Sequence, residues 1–270
     1  MSFDDYLVRY LDKTVLKGLH IYKNTEYSLN LKISDLLFQT SGLPDFYEDG
    51  DEYKLILRSD YEISFEYILE KTKSLSPRFI PNKPNKAYYA EMNFTLLGKI
   101  IENITGMSLA KALQYYIFTP LGMINSYLAT SENEVIPKIY YKSELLYRPK
   151  FIISLSFDAI STAIDLMKFI KAFFSVDLFS KSVFNELSIY RKLQLKMGPI
   201  FYGGGYMQIP LNSFYTLFMG KGELIGHSGS TGSFAFYYPE KDLFFVGDVN
   251  QMCNPGIPIK LIMRMAMAVK

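Results

Sequence analysis

Residues 226–233 combine the residue types that most suggest chemistry in this chain. They read Gly-His-Ser-Gly-Ser-Thr-Gly-Ser and include His227, one of two histidines. Glycines let a backbone approach a ligand closely, and hydroxyl groups beside an imidazole supply hydrogen-bond donors for an anionic or acyl group. The run therefore predicts a turn that faces a ligand at the start of the aromatic, strand-like stretch 234–238. A glycine-rich surface turn with a histidine is the alternative interpretation.

Composition and charge exclude several function classes. The 270 residues carry 29 basic and 27 acidic side chains, a net charge of +2, and no block of like charges, so nucleic-acid binding is not expected. Cys253 is the only cysteine, and His20 lies far from His227 in the chain, so we expect no disulfide, no metal and no cofactor. No stretch approaches the roughly 20 apolar residues of a membrane span. His20, between two aliphatic residues, is predicted to be a partly buried residue at a strand edge.

The elements that must position these residues change character along the chain. Apolar periodicity near 3.6 predicts helices in the first two thirds, and alternation predicts strands beyond Gly198. The predicted helices cover 93–103, 108–117, 162–174 and 258–269, and the predicted strands cover 201–209, 222–228, 233–238 and 243–249. This order indicates one α+β domain over 1–270, with a helix-rich lobe at about 30–195 and the sheet and C-terminal helix at about 196–270.

Five short segments occur in an order that resembles a known family. They read Leu-Leu-Phe-Gln-Thr-Ser-Gly-Leu at 36–43, Tyr-Tyr-Ala-Glu-Met-Asn-Phe at 88–94, Thr-Pro-Leu-Gly-Met at 119–123, Ile-Ser-Thr-Ala-Ile-Asp-Leu at 160–166 and Gly-His-Ser-Gly at 226–229. Together they resemble the serine β-lactamase-related proteins, which include penicillin-binding proteins, D-Ala-D-Ala carboxypeptidases and esterases. The run at 226–229 is similar to the Lys-Thr-Gly strand motif of that family, with His in place of Lys.

The resemblance implies a β-lactamase/transpeptidase-like fold, in which an antiparallel sheet flanked by helices meets a helical lobe. Complete members hydrolyse an amide or ester through an acyl-enzyme. By resemblance, Tyr89 is the phenol that moves protons, and His227 and Ser228 lie on the strand at the cleft edge. Gly229 and Ser230 contact the substrate, and the Ser230 N–H is one oxyanion donor.

Glu91 stands where the family motif has asparagine, and we expect it to contact the substrate. An amide both donates and accepts hydrogen bonds, whereas a carboxylate only accepts unless it is protonated. Two interpretations of Glu91 stay open. The carboxylate positions a lysine by ion pairing, or it complements the positive end of the helix that begins there.

The nucleophile motif of the family is the larger departure. The only Ser-x-x-Lys of the printed sequence is Ser108 to Lys111, directly after Gly106, and its position predicts a helix N-cap rather than a nucleophile. The family's own Ser-x-x-Lys, with its helix and the first strands of the sheet, is expected upstream of Met1. Three explanations stay open: a fragment, a degenerate copy, or a second polypeptide that fills the gap.

These features predict a β-lactamase-related serine hydrolase in which this chain alone has negligible turnover. The alternative is a non-catalytic protein that binds a peptide or cell-wall fragment in the remaining cleft. The expected ligands are a β-lactam, a D-Ala peptide or an ester, and an exposed sheet edge predicts self-association. The expected location is the cytoplasm for the chain as written, and the cell envelope or the exterior if an export signal precedes Met1.

Overall fold

The computed structural model describes residues 1–155, 158–194, 197–213 and 216–269. The helices in chain order are α1 (Lys13–Leu16), α2 (Ile33–Leu37), α3 (Phe46–Asp49), α4 (Glu52–Arg58), α5 (Phe65–Ser74), α6 (Glu91–Thr105), α7 (Leu109–Leu113), α8 (Pro149–Leu155), α9 (Ala163–Phe174), α10 (Lys181–Leu187) and α11 (Ile257–Ala268). The strands are β1 (Ile21–Tyr22), β2 (Thr25–Glu26), β3 (Tyr127–Leu128), β4 (Ile139–Tyr141), β5 (Glu144–Leu146), β6 (Ala159–Ile160), β7 (Arg191–Lys192), β8 (Phe201–Tyr202), β9 (Met207–Pro210), β10 (Glu223–Ser228), β11 (Ser233–Tyr238) and β12 (Leu243–Asp248).

The main sheet has six antiparallel strands in the order β12-β11-β10-β9-β8-β7. Alternate residues of β11 are buried because they face α11, and Phe236 packs with Ile262 of that helix. Tyr237 points to the other face, where its ring lies 5.4 Å from that of Phe174 on α9. The sheet is therefore covered by helices on both faces, and the α+β expectation holds. The strand β7 extends the sheet a few residues earlier than the expected start at about 196.

The helical lobe has its own core, in which α2, α5 and α6 meet through residues such as Leu36, Ile68 and Leu96. Helix α6 ends at Gly106, whose φ of 67° gives the left-handed cap that glycine adopts without strain. His20 is completely buried in this lobe, and its Nε2 lies 2.9 Å from the Phe79 carbonyl oxygen. His20 does adjoin β1, but the expectation that it is only partly buried was wrong, because its ring packs beside Tyr27 and contacts Phe79.

A buried carboxylate joins the start of α9 to the preceding loop. Asp165 accepts hydrogen bonds from the Asn125 N–H at 2.7 Å and from the Ser126 hydroxyl at 3.2 Å. Its other oxygen lies 2.9 Å from the ammonium group of Lys168. This network holds the turn at residues 121–123 against α9, the helix that covers one face of the sheet. Within the described ranges, no helix is long and apolar enough to cross a membrane.

Gly226 controls how closely β10 approaches β11. Its φ is 153°, and a Cβ atom built there would lie 2.1 Å from the Ala235 carbonyl oxygen. Such a contact is far inside van der Waals distance and involves backbone, so the strands must separate to relieve it. Any larger residue at 226 would therefore displace the adjacent His227.

We predict that Gly226→Ala destabilises the protein by about 3 kcal/mol, because overpacking against backbone forces the strands apart. The matched control is Gly18→Ala, where φ is 78° but no atom lies within 4 Å of the added Cβ. Gly18→Ala adds only the strain of a left-handed backbone conformation, which lowers the free energy of unfolding by about 1 kcal/mol. Urea unfolding of both variants measures the difference, and equal losses would contradict the close approach at Gly226.

Candidate active site

Gln39 positions the segment that carries Tyr89 and Glu91. The Tyr88 N–H donates to the Gln39 backbone oxygen at 2.8 Å, and the Ala90 N–H donates to the Gln39 side-chain oxygen at 2.9 Å. The Tyr89 N–H donates to the side chain of Gln194 at 3.2 Å. Residues on both sides of Tyr89 are thus held by a buried amide, and its half-buried ring is set beside the sheet.

The structure brings Tyr89 and His227 together. Their ring centroids lie 6.0 Å apart, and both rings contact Tyr202 of β8 at 5.7 and 5.8 Å. His227 stands opposite Ala235 in the register of β10 and β11. The helical lobe and the sheet therefore meet at a wall of three rings, two of which belong to the expected site.

The turn after β10 places Gly229 and Ser230 at the rim. The Gly229 N–H donates to the Ser233 oxygen at 2.8 Å, and the Gly232 N–H returns to the Gly229 oxygen at 3.1 Å. The N–H of Ser230 donates to no acceptor in the described part of the chain, and Ser230 is exposed. Ser228 is half-buried at the end of the strand. The turn thus leaves one backbone donor open to a ligand at the position expected for the oxyanion donor.

His227 is neutral at physiological pH. Its partial burial lowers the pKa of the imidazole to about 4, because a charged ring would lose solvation there. Its two nitrogens are both occupied, since Nε2 lies 3.1 Å from the Tyr202 hydroxyl and Nδ1 lies 3.0 Å from the Ser228 carbonyl oxygen. The ring therefore supplies no positive charge to the site.

Three carboxyl groups lie close to Tyr89. Asp45 is 4% exposed, and this burial raises its pKa to about 7. Asp158 is exposed, yet the loss of solvation caused by the protein packed beside it raises its pKa to about 6. Burial, followed by the charges of Asp158 and Asp45, raises the pKa of Glu91 well above 4.5. Within the described ranges, no lysine or arginine forms an ion pair with any of the three.

This arrangement favours the protonated forms of Glu91 and Tyr89. Burial, and then the charge of Glu91, raises the pKa of Tyr89 well above 10, so the phenol keeps its hydrogen. A protonated Glu91 carboxyl both donates and accepts hydrogen bonds, as does the asparagine amide expected at this position from the family motif. Glu91 is also the first residue of α6, while no described lysine pairs with it. The site can therefore offer neutral hydrogen bonds to a ligand.

Ser108 and Lys111 lie elsewhere. The Ser108 hydroxyl accepts from the Lys111 N–H at 3.4 Å, which confirms the predicted N-cap of α7. Both side chains are exposed, and neither makes a hydrogen bond or ion pair with Tyr89 or His227. Across the described residues, no group of three or more His, Cys, Asp or Glu is arranged to hold a metal ion.

Sequence reasoning missed four residues of this site: Gln39, Asp45, Asp158 and Tyr202. Gln39 and Asp45 lie within or beside the motif at 36–43, where the resemblance carried no role for them. Tyr202 is one of 22 tyrosines, so its type alone gave no signal. Asp158 lies in a loop between α8 and β6, and only the folded chain brings it to the cleft.

Comparison with known proteins confirms the expected family and fold. The profile of the family described as Beta-lactamase matches residues 1–266, so the chain belongs to the β-lactamase family. The chain is 28% identical over 223 residues to "Penicillin-binding protein 4*" of Bacillus subtilis (strain 168), covering 73% of this chain and 46% of that protein. It therefore spans less than half the length of this curated relative.

Solved structures share the architecture. A D-stereospecific amidohydrolase from Streptomyces sp. superimposes with a TM-score of 0.77 at 23% identity, over 97% of this chain and 78% of that one. The D-amino acid amidase from Ochrobactrum anthropi SV3, complexed with D-phenylalanine, has a TM-score of 0.74 at 20% identity, over 98% and 84% of the two chains. At these identities, the likeness establishes the β-lactamase/transpeptidase-like fold.

We predict that the carboxyl cluster makes the protein less stable as pH rises. A carboxyl whose pKa is raised by folding binds its proton more tightly in the folded state, so stability is highest below pH 4. It falls as pH rises through about 6 and about 7, the pKa values of Asp158 and Asp45. Glu91→Gln removes a carboxyl group whose raised pKa makes folding cost more free energy as pH rises, so at pH 8 its Tm exceeds that of the wild type by about 2–4 °C.

Calorimetry between pH 4 and pH 8 measures this effect, and the two proteins are expected to converge at pH 4. The control is Glu62→Gln, which neutralises an exposed carboxyl outside the cluster. Parallel pH profiles for wild type and Glu91→Gln would show that Glu91 ionises normally in the folded protein.

Proposed function

We propose that this chain forms the acyl-binding and proton-donating wall of a β-lactamase-family hydrolase site, and that residues 1–270 alone do not turn substrate over. The observation that carries this proposal is the separation between the wall and the one Ser-x-x-Lys of the chain. Ser108 caps α7 on the surface, whereas Tyr89 contacts His227 inside. No acyl-enzyme forms without a nucleophile beside the proton-transfer group.

Each group on the wall has a distinct task in this proposal. The open N–H of Ser230 donates to the carbonyl oxygen of the ligand, where negative charge develops during attack. Tyr89, which stays protonated, supplies a hydrogen bond or proton to the leaving group. The protonated carboxyl of Glu91 contacts an amide of the ligand as donor and acceptor, which is the task of asparagine in the family motif.

The ligand class follows from this set of groups. Neutral donors and acceptors suit an amide, ester or β-lactam carbonyl rather than a phosphate, because among the described residues no lysine or arginine pairs with the carboxyl groups beside Tyr89. The two structural neighbours named above, an amidohydrolase and an amidase with bound D-phenylalanine, support small amides as probes. β-Lactams, D-Ala peptides and esters are the further members of this class.

A second candidate is a non-catalytic protein that binds the same ligands. The absence of a positive charge beside Tyr89 within the described residues favours it, because an activated serine needs a base and its charge partners. The two candidates predict equal binding and differ in covalent chemistry. Adding a second polypeptide that carries the nucleophile distinguishes the two candidates, because only the hydrolase would then turn substrate over.

We predict no covalent labelling of the chain by a fluorescent penicillin and no burst in the hydrolysis of p-nitrophenyl acetate. Reversible binding of D-phenylalanine amide, followed by ligand-observed NMR, should be retained and should weaken about tenfold in Tyr89→Phe, the loss of one hydrogen bond. The control is Ser108→Ala, which is expected to behave as wild type in all three assays. Stoichiometric labelling that disappears in Ser108→Ala would overturn the proposal.

We also propose that two copies associate through the β12 edge of the main sheet. The opposite edge, β7, has two residues, both basic, which is a usual protection against pairing. In contrast, β12 has six residues, Leu-Phe-Phe-Val-Gly-Asp, with no lysine, arginine or proline. A second β12 in antiparallel orientation would satisfy the same backbone groups on both copies, which is the closed two-fold arrangement.

We predict a concentration-dependent dimer in sedimentation experiments at micromolar concentration. Val246→Lys places a charge in the middle of β12 and should leave a monomer with an unchanged circular dichroism spectrum. Ile124→Lys is the control, because it removes an apolar side chain that is 87% exposed and lies outside the sheet. A dimer that survives Val246→Lys, or a wild type that stays monomeric, would refute the edge contact.

A further inference from the structure

Tyr202 connects the interior of the sheet to the ring of His227. Its side chain is completely buried on β8, and its hydroxyl oxygen lies 3.1 Å from Nε2 of His227. The other ring nitrogen, Nδ1, lies 3.0 Å from the carbonyl oxygen of Ser228, the last residue of β10. The imidazole is thus held from both sides by protein groups.

The chemistry of these partners assigns the hydrogens. A carbonyl oxygen only accepts, so Nδ1 of His227 must carry the hydrogen and donate to Ser228. A neutral imidazole has one N–H, so Nε2 carries the lone pair and accepts the hydrogen of the Tyr202 hydroxyl. Both hydrogen bonds then run in one direction, from the Tyr202 hydroxyl through the imidazole to the Ser228 carbonyl oxygen. Consecutive hydrogen bonds of this kind strengthen one another.

We propose that Tyr202 is a positioning residue of this site. Its hydroxyl occupies Nε2 and fixes His227 as the Nδ1–H tautomer, which holds the Ser228 carbonyl and sets the course of the chain toward the open N–H of Ser230. His227 is then a strut between the sheet and the oxyanion turn rather than a proton acceptor. The role of that turn rests on the proposed function above, whereas the tautomer rests on geometry alone.

Gln39 supports the same hydroxyl from the helical lobe. Its amide nitrogen is buried without a hydrogen bond of full geometry, but it is close enough to Tyr202 to lower the pKa of that phenol, against the larger rise caused by burial. The oxygen of the same amide accepts from the Ala90 N–H. One side chain thus influences both the Tyr89 segment and the Tyr202–His227 pair.

His20 provides an internal comparison. Its Nε2 lies 2.9 Å from the Phe79 carbonyl oxygen, while its buried Nδ1 has no partner at full hydrogen-bond geometry in the described residues. The same reasoning assigns the hydrogen of His20 to Nε2. The two histidines of this chain are therefore expected in opposite tautomers, which makes their signals distinguishable in one sample.

Long-range ¹H–¹⁵N correlation spectra of the ¹⁵N-labelled chain at pH 7 test the proposal. Nδ1–H is expected for His227 and Nε2–H for His20, with His20→Gln to assign the signals. An Nε2–H tautomer or a doubly protonated ring at His227 would overturn the assignment. This readout needs no ligand and no activity, so it is independent of the proposed function.

Tyr202→Phe removes the donor to Nε2 and leaves the ring packing in place. The His227 pKa is expected to rise from about 4 by about one unit, because the hydroxyl stabilises only the neutral ring. The Nε2–H tautomer should become populated, and binding of D-phenylalanine amide should weaken about tenfold. His20 should be unchanged.

Tyr206→Phe is the matched control, because Tyr206 is also buried at this hairpin but its hydroxyl bonds Ser188 at 2.8 Å. It should leave the tautomer and pKa of His227 unchanged. Equal shifts of His227 in both variants would show a general loosening of the sheet and would refute the positioning role. If the wild type shows the predicted tautomers but does not bind D-phenylalanine amide, the result supports the positioning role of Tyr202 and counts against the proposed function.

Discussion

The hold of Gln39 on the segment 88–93 is the interaction on which the site depends. Gln39 has a φ of 57°, a left-handed conformation that costs a residue with a side chain free energy, and it is fully buried. Its backbone oxygen accepts from Tyr88, and its side-chain oxygen accepts from Ala90 and from the Asn93 amide. The strain at Gln39 is offset by these bonds, which place Tyr89 and the start of α6 against the sheet.

Because Gln39 holds segment 88–93 in place, the carboxyl group of Glu91 lies near that of Asp45. No described lysine or arginine forms an ion pair with either group. Glu91 follows Ala90 directly, and Asp45 accepts from the Glu91 N–H at 3.3 Å, so the two carboxyl groups are brought close by the backbone. Repulsion between buried carboxylates is relieved by a proton or by a cation. Protonation is the route available to the described residues, and it makes Glu91 and Tyr89 neutral donors.

Much of the fold could be predicted from the sequence, because its signals are local. The end of α6 follows from Gly106, the N-cap of α7 follows from Ser108, and β10 to β12 follow from alternation and turns. The buried side of α6 follows less simply from periodicity. Ile104 lies four residues after Ile100 and so on the same face, yet Ile100 is buried and Ile104 is 50% exposed, because α6 contacts several other helices.

The site was predictable only where a residue stands in a recognisable motif. Tyr89 and His227 are separated by 138 positions in the sequence, and the resemblance alone related them before the folded chain placed their rings in contact. Asp158 and Tyr202 have no such motif. Tyr202 contributes through its burial and its contact with His227, and Asp158 through its charge beside Glu91. Both depend on partners distant in sequence, which single residue types do not encode.

By resemblance to the family motif, His227 stands where other members have a lysine, and the groups beside it are consistent with that change. A lysine there would bring a positive charge, which favours ionised carboxylates and a lowered phenol pKa nearby. With a neutral imidazole whose pKa is about 4, the same neighbours keep their hydrogens. The histidine, the glutamate in place of asparagine and the raised pKa of Tyr89 are therefore one electrostatic arrangement, in which directed hydrogen bonds replace charge. In the proposed function, a nucleophile brought beside Tyr89 and His227 would find the N–H of Ser230 as an oxyanion donor but no positive charge on the imidazole.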